Sequence, residues 1–170
     1  GGITPHNRFG VSSTKAEVLF VDYINEHLKP NGRAGIIVPE GIIFQSGVYS
    51  ELRKKLISTS LVGIISLPSG IFQPYSGVTT SILILDKNKN KNINYIYWAK
   101  VENDGFSLTT NRNPISKNDL PKISKIIFNQ EFTDKNSIKK IFKSDIQDGN
   151  IKKIIDNEEE NKETSYKVVK

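Results

Sequence analysis

Short, continuous apolar runs alternate with helical stripes along the first half of this chain. Leu61–Leu67 (LVGIISL) and Thr80–Leu85 (TSILIL) are rich in β-branched residues and predict strands buried on both faces. They bracket Pro68–Val78 (PSGIFQPYSGV), a segment of Pro, Gly, Ser and aromatics. A buried strand pair gives that loop a rigid base. The loop carries Phe72 and Tyr75, two large rings on a segment expected to reach solvent. Rings of this size are usually buried, so exposed ones need a reason.

Gly1–Val11 shows no apolar period and reads as loop. Ser12 or Ser13 can cap a helix from about Thr14 to Leu28. Its expected stripe is Ala16, Leu19, Phe20, Tyr23, Ile24 and Leu28, with Lys15, Glu17, Asp22 and Glu26 elsewhere. Pro30-Asn31-Gly32 ends it. Ala34–Val38 (AGIIV) predicts a buried strand closed by Pro39. A loop with Gly41 and Gly47 precedes a second helix at about Val48–Ser58. Tyr49, Leu52 and Leu56 give that helix its apolar face, and Arg53, Lys54 and Lys55 its solvated one.

The order helix, strand, helix, strand, strand implies a parallel sheet with right-handed crossovers. The last two strands are joined by only about a dozen residues, too few for a usual parallel crossover, and are expected to be antiparallel. The expected fold is α/β: half of an open sheet with one reversed strand, which implies further material upstream. Asp86–Asn92 (DKNKNKN) is expected as a solvated turn rather than a phosphate contact. Ile93–Trp98 reads as a strand. Asn103-Asp104-Gly105 inside Val101–Leu108 is a hairpin-turn signal, so a strand–turn–strand added to the sheet is expected. Asp119 should cap a helix near Leu120–Phe128, with Pro121 at an early position. Ser137–Phe142 and Ile151–Ile155 are candidate short helices, and Glu158–Thr164 a linker. On this reading the chain divides into 1–114 and a polar, helical extension, 115–170.

At 170 residues and 36% hydrophobic content, the chain can build a core. The lack of Cys excludes disulfides and thiolate-bound metal sites. His6 and His27 are the only histidines and are too far apart to suggest a metal site. No apolar run approaches the roughly 20 residues of a membrane span, and no signal-peptide pattern opens the chain, so the cytoplasm is the simple reading. The net charge of +6 favours an anionic partner such as nucleic acid, but sets no geometry. AT-rich codons for Lys, Asn and Ile can account for part of that excess.

There is no nucleophile–base pair, Walker loop or dinucleotide fingerprint. Ser66-x-x-Ser69-Gly70 lacks the strand and helix context of a nucleophile elbow. Glu40 follows a strand end, where open α/β sheets place ligands. A lone carboxylate there is more often a loop-fixing acceptor than a catalyst.

Four segments occur in an informative order: Phe9–Lys15 (FGVSSTK), Leu19–Lys29 (LFVDYINEHLK), Gly32–Phe44 (GRAGIIVPEGIIF) and Leu67–Asp86 (LPSGIFQPYSGVTTSILILD). Together they resemble the modification subunit of type I restriction-modification systems, a family of adenine-N6 DNA methyltransferases that use S-adenosylmethionine. The likeness spans roughly Gly1–Pro114, with VPEGIIF and SGIFQPYSGV its most specific parts. VENDGFSL and Asn118-Asp119-Leu120-Pro121 add to it, and it thins beyond about Pro121. It implies a partial Rossmann-like methyltransferase fold: the second half of the sheet, its last strand antiparallel, then a hairpin and a helical extension. The family's catalytic Asn-Pro-Pro-Phe and its Gly-rich cofactor loop do not occur in the chain. The resemblance therefore implies the latter part of a catalytic domain, inactive by itself.

The same resemblance implies roles. Adenine N6 is reached by flipping the base out of the duplex. In the family an Asn side chain and a Pro carbonyl accept the N6 hydrogens, and placement and electrostatics dominate the reaction. A flipped base also needs stacking surfaces, worth roughly 1–3 kcal/mol per base. One comes from the tetrapeptide's aromatic. The other is implied for the loop between the last two sheet strands, with Phe72 the first candidate and Tyr75 the second; a ring plugging the loop onto the sheet is the structural alternative. Pro39 and Glu40 are implied at the pocket rim. His6, Asn7 and Arg8 are candidates for contact with DNA or a partner, with a solvated loop the alternative. The implied partners are DNA, a specificity subunit that reads the target sequence and a restriction subunit, with no metal and no membrane. Two other readings stay open: a methyltransferase acting on RNA or protein, and a scaffold that keeps the fold without the chemistry.

Overall fold

A five-stranded sheet organises the molecule, with its strands in the order β1-β3-β2-β4-β7. The computed structural model describes residues 10–129, 138–152 and 154–155. In chain order the elements are α1 (Ala16–His27), β1 (Arg33–Pro39), α2 (Gly41–Phe44), α3 (Val48–Thr59), β2 (Leu61–Ser66), β3 (Thr80–Asp86), α4 (Lys87–Asn92), β4 (Tyr95–Lys100), β5 (Asp104–Phe106), β6 (Pro114–Asn118), α5 (Leu120–Asn129) and β7 (Ile138–Phe142). β3 runs antiparallel to both β1 and β2, so those two are parallel to each other. β4 is parallel to β2, and β7 antiparallel to β4. The expected mixed sheet is present, with β3 inserted between the strands that α2 and α3 connect.

Each face of the sheet has its own core. On one, Val18, Val21, Ile42, Ile43, Leu52 and Leu56 from α1–α3 meet Val38, Leu61, Ile64, Leu83, Leu85 and Trp98. On the other, Ile123, Ile126 and Ile127 of α5 meet Val62, Ile65, Ile84, Tyr97 and Ile138. A register shift between Leu61 and Gly63 puts Leu61 and Ile64 on one face and Val62 and Ile65 on the other. That bulge, with helices on both sides, is why LVGIIS is continuously apolar.

Several expected features differ. α1 starts at Ala16 and its N-cap position, Lys15, provides no side-chain cap. Ser13 Oγ instead accepts from the Lys15 amide at 2.9 Å. The buried face of α1 is Val18, Val21, Asp22 and Asn25, while Phe20 and Tyr23 point outward. Two polar residues can be buried there because both are satisfied. Asp22 Oδ2 accepts from the Gly10 and Val11 amides, and Asn25 Oδ1 accepts from Ser60 Oγ. β1 is not a fully buried strand: it lies at the sheet edge and exposes alternate residues, Ile37 by 55%.

DKNKNKN is a helix, not a turn. Asp86 caps it by accepting from the Lys89 amide at 2.7 Å, and buried Asn90 donates to the carbonyls of Ile57 and Leu61. Asn103-Asp104-Gly105 opens strand β5, and the reversal comes later, at Ser107–Asn113. β5 and β6 form their own two-stranded sheet rather than extending the main one. Asp119 does precede α5, where its carbonyl accepts from the Ile123 amide, and its carboxylate accepts from the Glu102 and Asn103 amides. Ile138–Phe142, expected as a helix, is edge strand β7. Lys152, Ile154 and Ile155 of the expected Ile151–Ile155 helix are helical, and the Ile155 amide donates to the Ile151 carbonyl.

Candidate functional site

The C-terminal ends of the three parallel strands share one edge of the sheet. Pro39 pairs with Thr80, Ser66 with Ser81, and Ser66 with Lys100. This is the edge at which open α/β sheets place ligands. The Pro68–Val78 loop rises from the same edge, closed below by the Leu67 amide on the Thr80 carbonyl at 3.0 Å. The Glu40 amide donates to the Thr79 carbonyl at 3.1 Å, which joins the exit of β1 to the end of the loop.

The loop is built rather than loose. The Gln73 amide donates to the Gly70 carbonyl, and the Tyr75 and Ser76 amides both donate to the Phe72 carbonyl. Gly70 has φ +85°, a conformation that glycine adopts without the Cβ penalty. Ile71 packs into the core on the α5 face. That anchor leaves Phe72 37% exposed and Tyr75 94% exposed. Phe72 is thus mostly held by its surroundings while keeping an accessible part, whereas Tyr75 stands free.

Two clefts open along this edge. One, of about 330 Å³, is lined by Glu17, Pro39, Glu40, Tyr49, Val78 and Thr79, among others. The second, of about 450 Å³, is lined by Glu40, Phe44, Gln45, Ser66, Trp98 and Lys100, among others. Pro39 and Glu40 therefore do sit on a cleft rim beside the loop. Phe72 and Tyr75 line neither cleft. Among the described residues, no hydrogen bond or ion pair occupies the Glu40 carboxylate. Tyr49 Oη donates to Glu17 Oε1 at 2.7 Å, and this bond holds the Glu17 carboxyl below the usual carboxylate range. His6, Asn7 and Arg8 lie outside the described residues.

Of the basic run on α3, Lys54 is exposed as expected, Lys55 is half-buried and Arg53 is buried. Arg53 is buried and donates to the carbonyls of Gly149 (2.6 Å), Ile42 (2.7 Å) and Gln45 (2.8 Å). Burial pushes its guanidinium down to about 10. Lys54 pairs with Asp148 at 2.9 Å, and Lys55 bridges Asp22 and Glu26. A further pair that the sequence did not reveal is Asp104 with Arg112, in the β5–β6 hairpin. Its only sequence signal was the Asp-Gly step, which reads as a turn.

Glu17 is engaged by Tyr49, Glu40 is the one carboxylate left open on the two clefts, and no Gly-rich loop follows a strand. Among the described residues there is no cluster of His, Asp and Glu that could hold a metal ion, and no helix long and apolar enough to cross a membrane.

The chain is 30% identical over 162 residues to the methylase subunit of the type I restriction enzyme MpnII of Mycoplasma pneumoniae, covering 92% of this chain and 29% of that protein. It is 39% identical over 72 residues to the EcoEI methylase subunit of Escherichia coli, covering 42% of this chain and 15% of the relative. The chain thus spans less than a third of the length of these relatives. Its fold matches a modification subunit of a putative type I restriction enzyme from Vibrio vulnificus, with a TM-score of 0.66 at 20% identity over 85% of this chain and 32% of that one. It also matches the type I methyltransferase subunit of Streptococcus thermophilus, with a TM-score of 0.65 at 26% identity over 81% of this chain and 29% of that one. The family model for N-6 DNA methylases matches residues 5–167, and with it the ordered strands, the aromatic loop and the relatives agree: the chain belongs to the N-6 DNA methylase family.

Proposed function

We propose that this chain is part of a type I restriction-modification methyltransferase subunit that methylates adenine N6 in DNA, and that it supplies one wall of the pocket for the flipped base. The observation that carries this reading is the pair of accessible rings, Phe72 and Tyr75, on an anchored loop at the strand-end edge beside Pro39 and Glu40. An anchored ring with an open part can stack on a base without first being ordered, and each such stack is worth roughly 1–3 kcal/mol.

In this reading Phe72 stacks on the adenine, and Tyr75 contacts the substrate next to it. Pro39 and Glu40 form the rim. S-adenosylmethionine supplies the electrophilic methyl group to the whole enzyme; the residues of this chain do not furnish its main site. Asn-Pro-Pro-Phe does not occur in the 170 residues, so the acceptors for the N6 hydrogens come from elsewhere and this stretch alone transfers no methyl group. His6, Asn7 and Arg8 are assigned to contact with DNA or a partner. The partners are DNA, a specificity subunit and a restriction subunit, and the setting is the cytoplasm.

The test is methyl transfer by the full-length subunit assembled with its specificity subunit. Label is expected in N6-methyladenine of duplex DNA. Label in RNA or protein and none in duplex DNA sinks the reading in favour of another methyltransferase. No transfer to any of the three favours a scaffold.

A further inference from the structure

We propose that the Asp104–Arg112 pair is a positioning device: it locks the β5–β6 hairpin so that the hairpin tip buttresses the Pro68–Val78 loop. The consequence for methylation rests on the stacking role of Phe72, but the hold of the hairpin on the loop does not.

Asp104 is 7% exposed, and its Oδ2 receives Arg112 Nη2. A buried carboxylate is costly unless paired, so this position demands its partner. Arg112 takes a left-handed backbone conformation, φ +48°, unusual for a residue other than glycine. From there its amide donates to the Thr109 carbonyl at 3.0 Å and its Nη1 to the Ser107 carbonyl at 3.2 Å. The guanidinium lies 5.5 Å from the centre of the Phe106 ring. One side chain therefore ties the start of β5, the ring beside it and the reversal Ser107–Asn113 into a unit. The Ser107 amide closes that reversal on the Asn113 carbonyl at 2.8 Å. Asp119 fixes the base of the hairpin through the Glu102 and Asn103 amides, at 3.0 and 2.8 Å.

The tip of this unit meets the aromatic loop. A Cβ placed on Gly70 would stand 3.4 Å from the Leu108 carbonyl oxygen and 3.9 Å from Leu108 Cβ. Gly70 opens the turn that carries Phe72. Ile71 packs against the core below the loop, and Leu108 lies alongside it at Gly70, where we place the buttress. Leu108 has no strand of its own to fix it and depends on the Asp104–Arg112 lock.

Hydrogen–deuterium exchange on the full-length subunit tests this directly. In Arg112→Ala and Asp104→Asn, the amides of Gln73, Tyr75 and Ser76 are expected to exchange about tenfold faster. Those within Leu61–Ser66 and Thr80–Asp86 should keep their rates. Arg112→Lys keeps the buried carboxylate neutralised but loses the fork, so it should show a smaller increase. Unchanged loop exchange in all three variants overturns the proposal. So does loss of strand protection in step with loop protection, which marks the pair as a general stabiliser. Phe72→Ala runs alongside. If it methylates fully while the hairpin variants still free the loop, the stacking role fails and the positioning role stands.

Discussion

Arg53 carries the clearest structural consequence of a single side chain. It is a cation held by carbonyls, with no carboxylate partner among the described residues, and it joins α3 to Ile42, Gln45 and Gly149. Removing it strands these carbonyl oxygens in or near the core, and each unsatisfied buried group costs about 1–3 kcal/mol. Arg53→Leu is therefore expected to destabilise the protein by about 3 kcal/mol or more, read from urea midpoints. Arg53→Lys should recover little, because an ammonium cannot reproduce the planar fork. A loss below about 1 kcal/mol in Arg53→Leu contradicts this reading. The residue was not legible in the sequence. Arg53-Lys54-Lys55 looks like a wet helix face, and the partner that decides otherwise, Gly149, lies 96 residues away. The exposure of Phe72 and Tyr75 was legible because two rings sat in a Gly- and Pro-rich stretch between buried strands.

Among the elements, α1 shows why a stripe of large apolar residues can mislead. The expected face, with Phe20 and Tyr23, points outward, and the buried face includes Asp22 and Asn25. Hydrogen bonds from Gly10, Val11, Lys55 and Ser60 offset the burial of those polar groups, and none of these partners can be read from helical spacing. β7 and α4 were missed for related reasons. Each gains its form from neighbours, β7 from pairing with β4 and α4 from the Ile57 and Leu61 carbonyls that its Asn90 reaches. The joint between α1 and α3 offers a pH test. Tyr49 lowers the Glu17 pKa by hydrogen bonding to the ionised carboxyl. A lowered acid contributes stability that is full above its ordinary value and is lost as pH falls through the lowered one. Tyr49→Phe should therefore lower the urea midpoint more at pH 7 than at pH 3. An equal loss at both shows that the bond does not favour the ionised form.

At the scale of the whole molecule, the sequence carried the architecture well and the sheet order poorly. Buried apolar runs separated by helical segments do predict a mixed α/β sheet. They do not say that β3 would insert between β1 and β2, or that β1 would lie at an edge with Ile37 exposed. Pairing partners are set by contacts between distant segments, and a run of apolar residues does not encode which run it meets. The site follows from that order. It brings the ends of β1, β2 and β4, the start of β3 and the aromatic loop to one edge, with Pro39 and Glu40 beside Thr79. On the proposed reading, the loop offers a stacking ring to a flipped adenine. The most direct measurement is kcat/KM for duplex DNA in the full-length subunit with its specificity partner, taken together with Tm, for Phe72→Ala and Phe72→Tyr. Phe72→Ala is expected to lose about 5- to 150-fold, the kinetic equivalent of one stack, with little change in Tm, while Phe72→Tyr keeps most activity. Unchanged kcat/KM in Phe72→Ala, or a loss matched by a large fall in Tm, would contradict that reading.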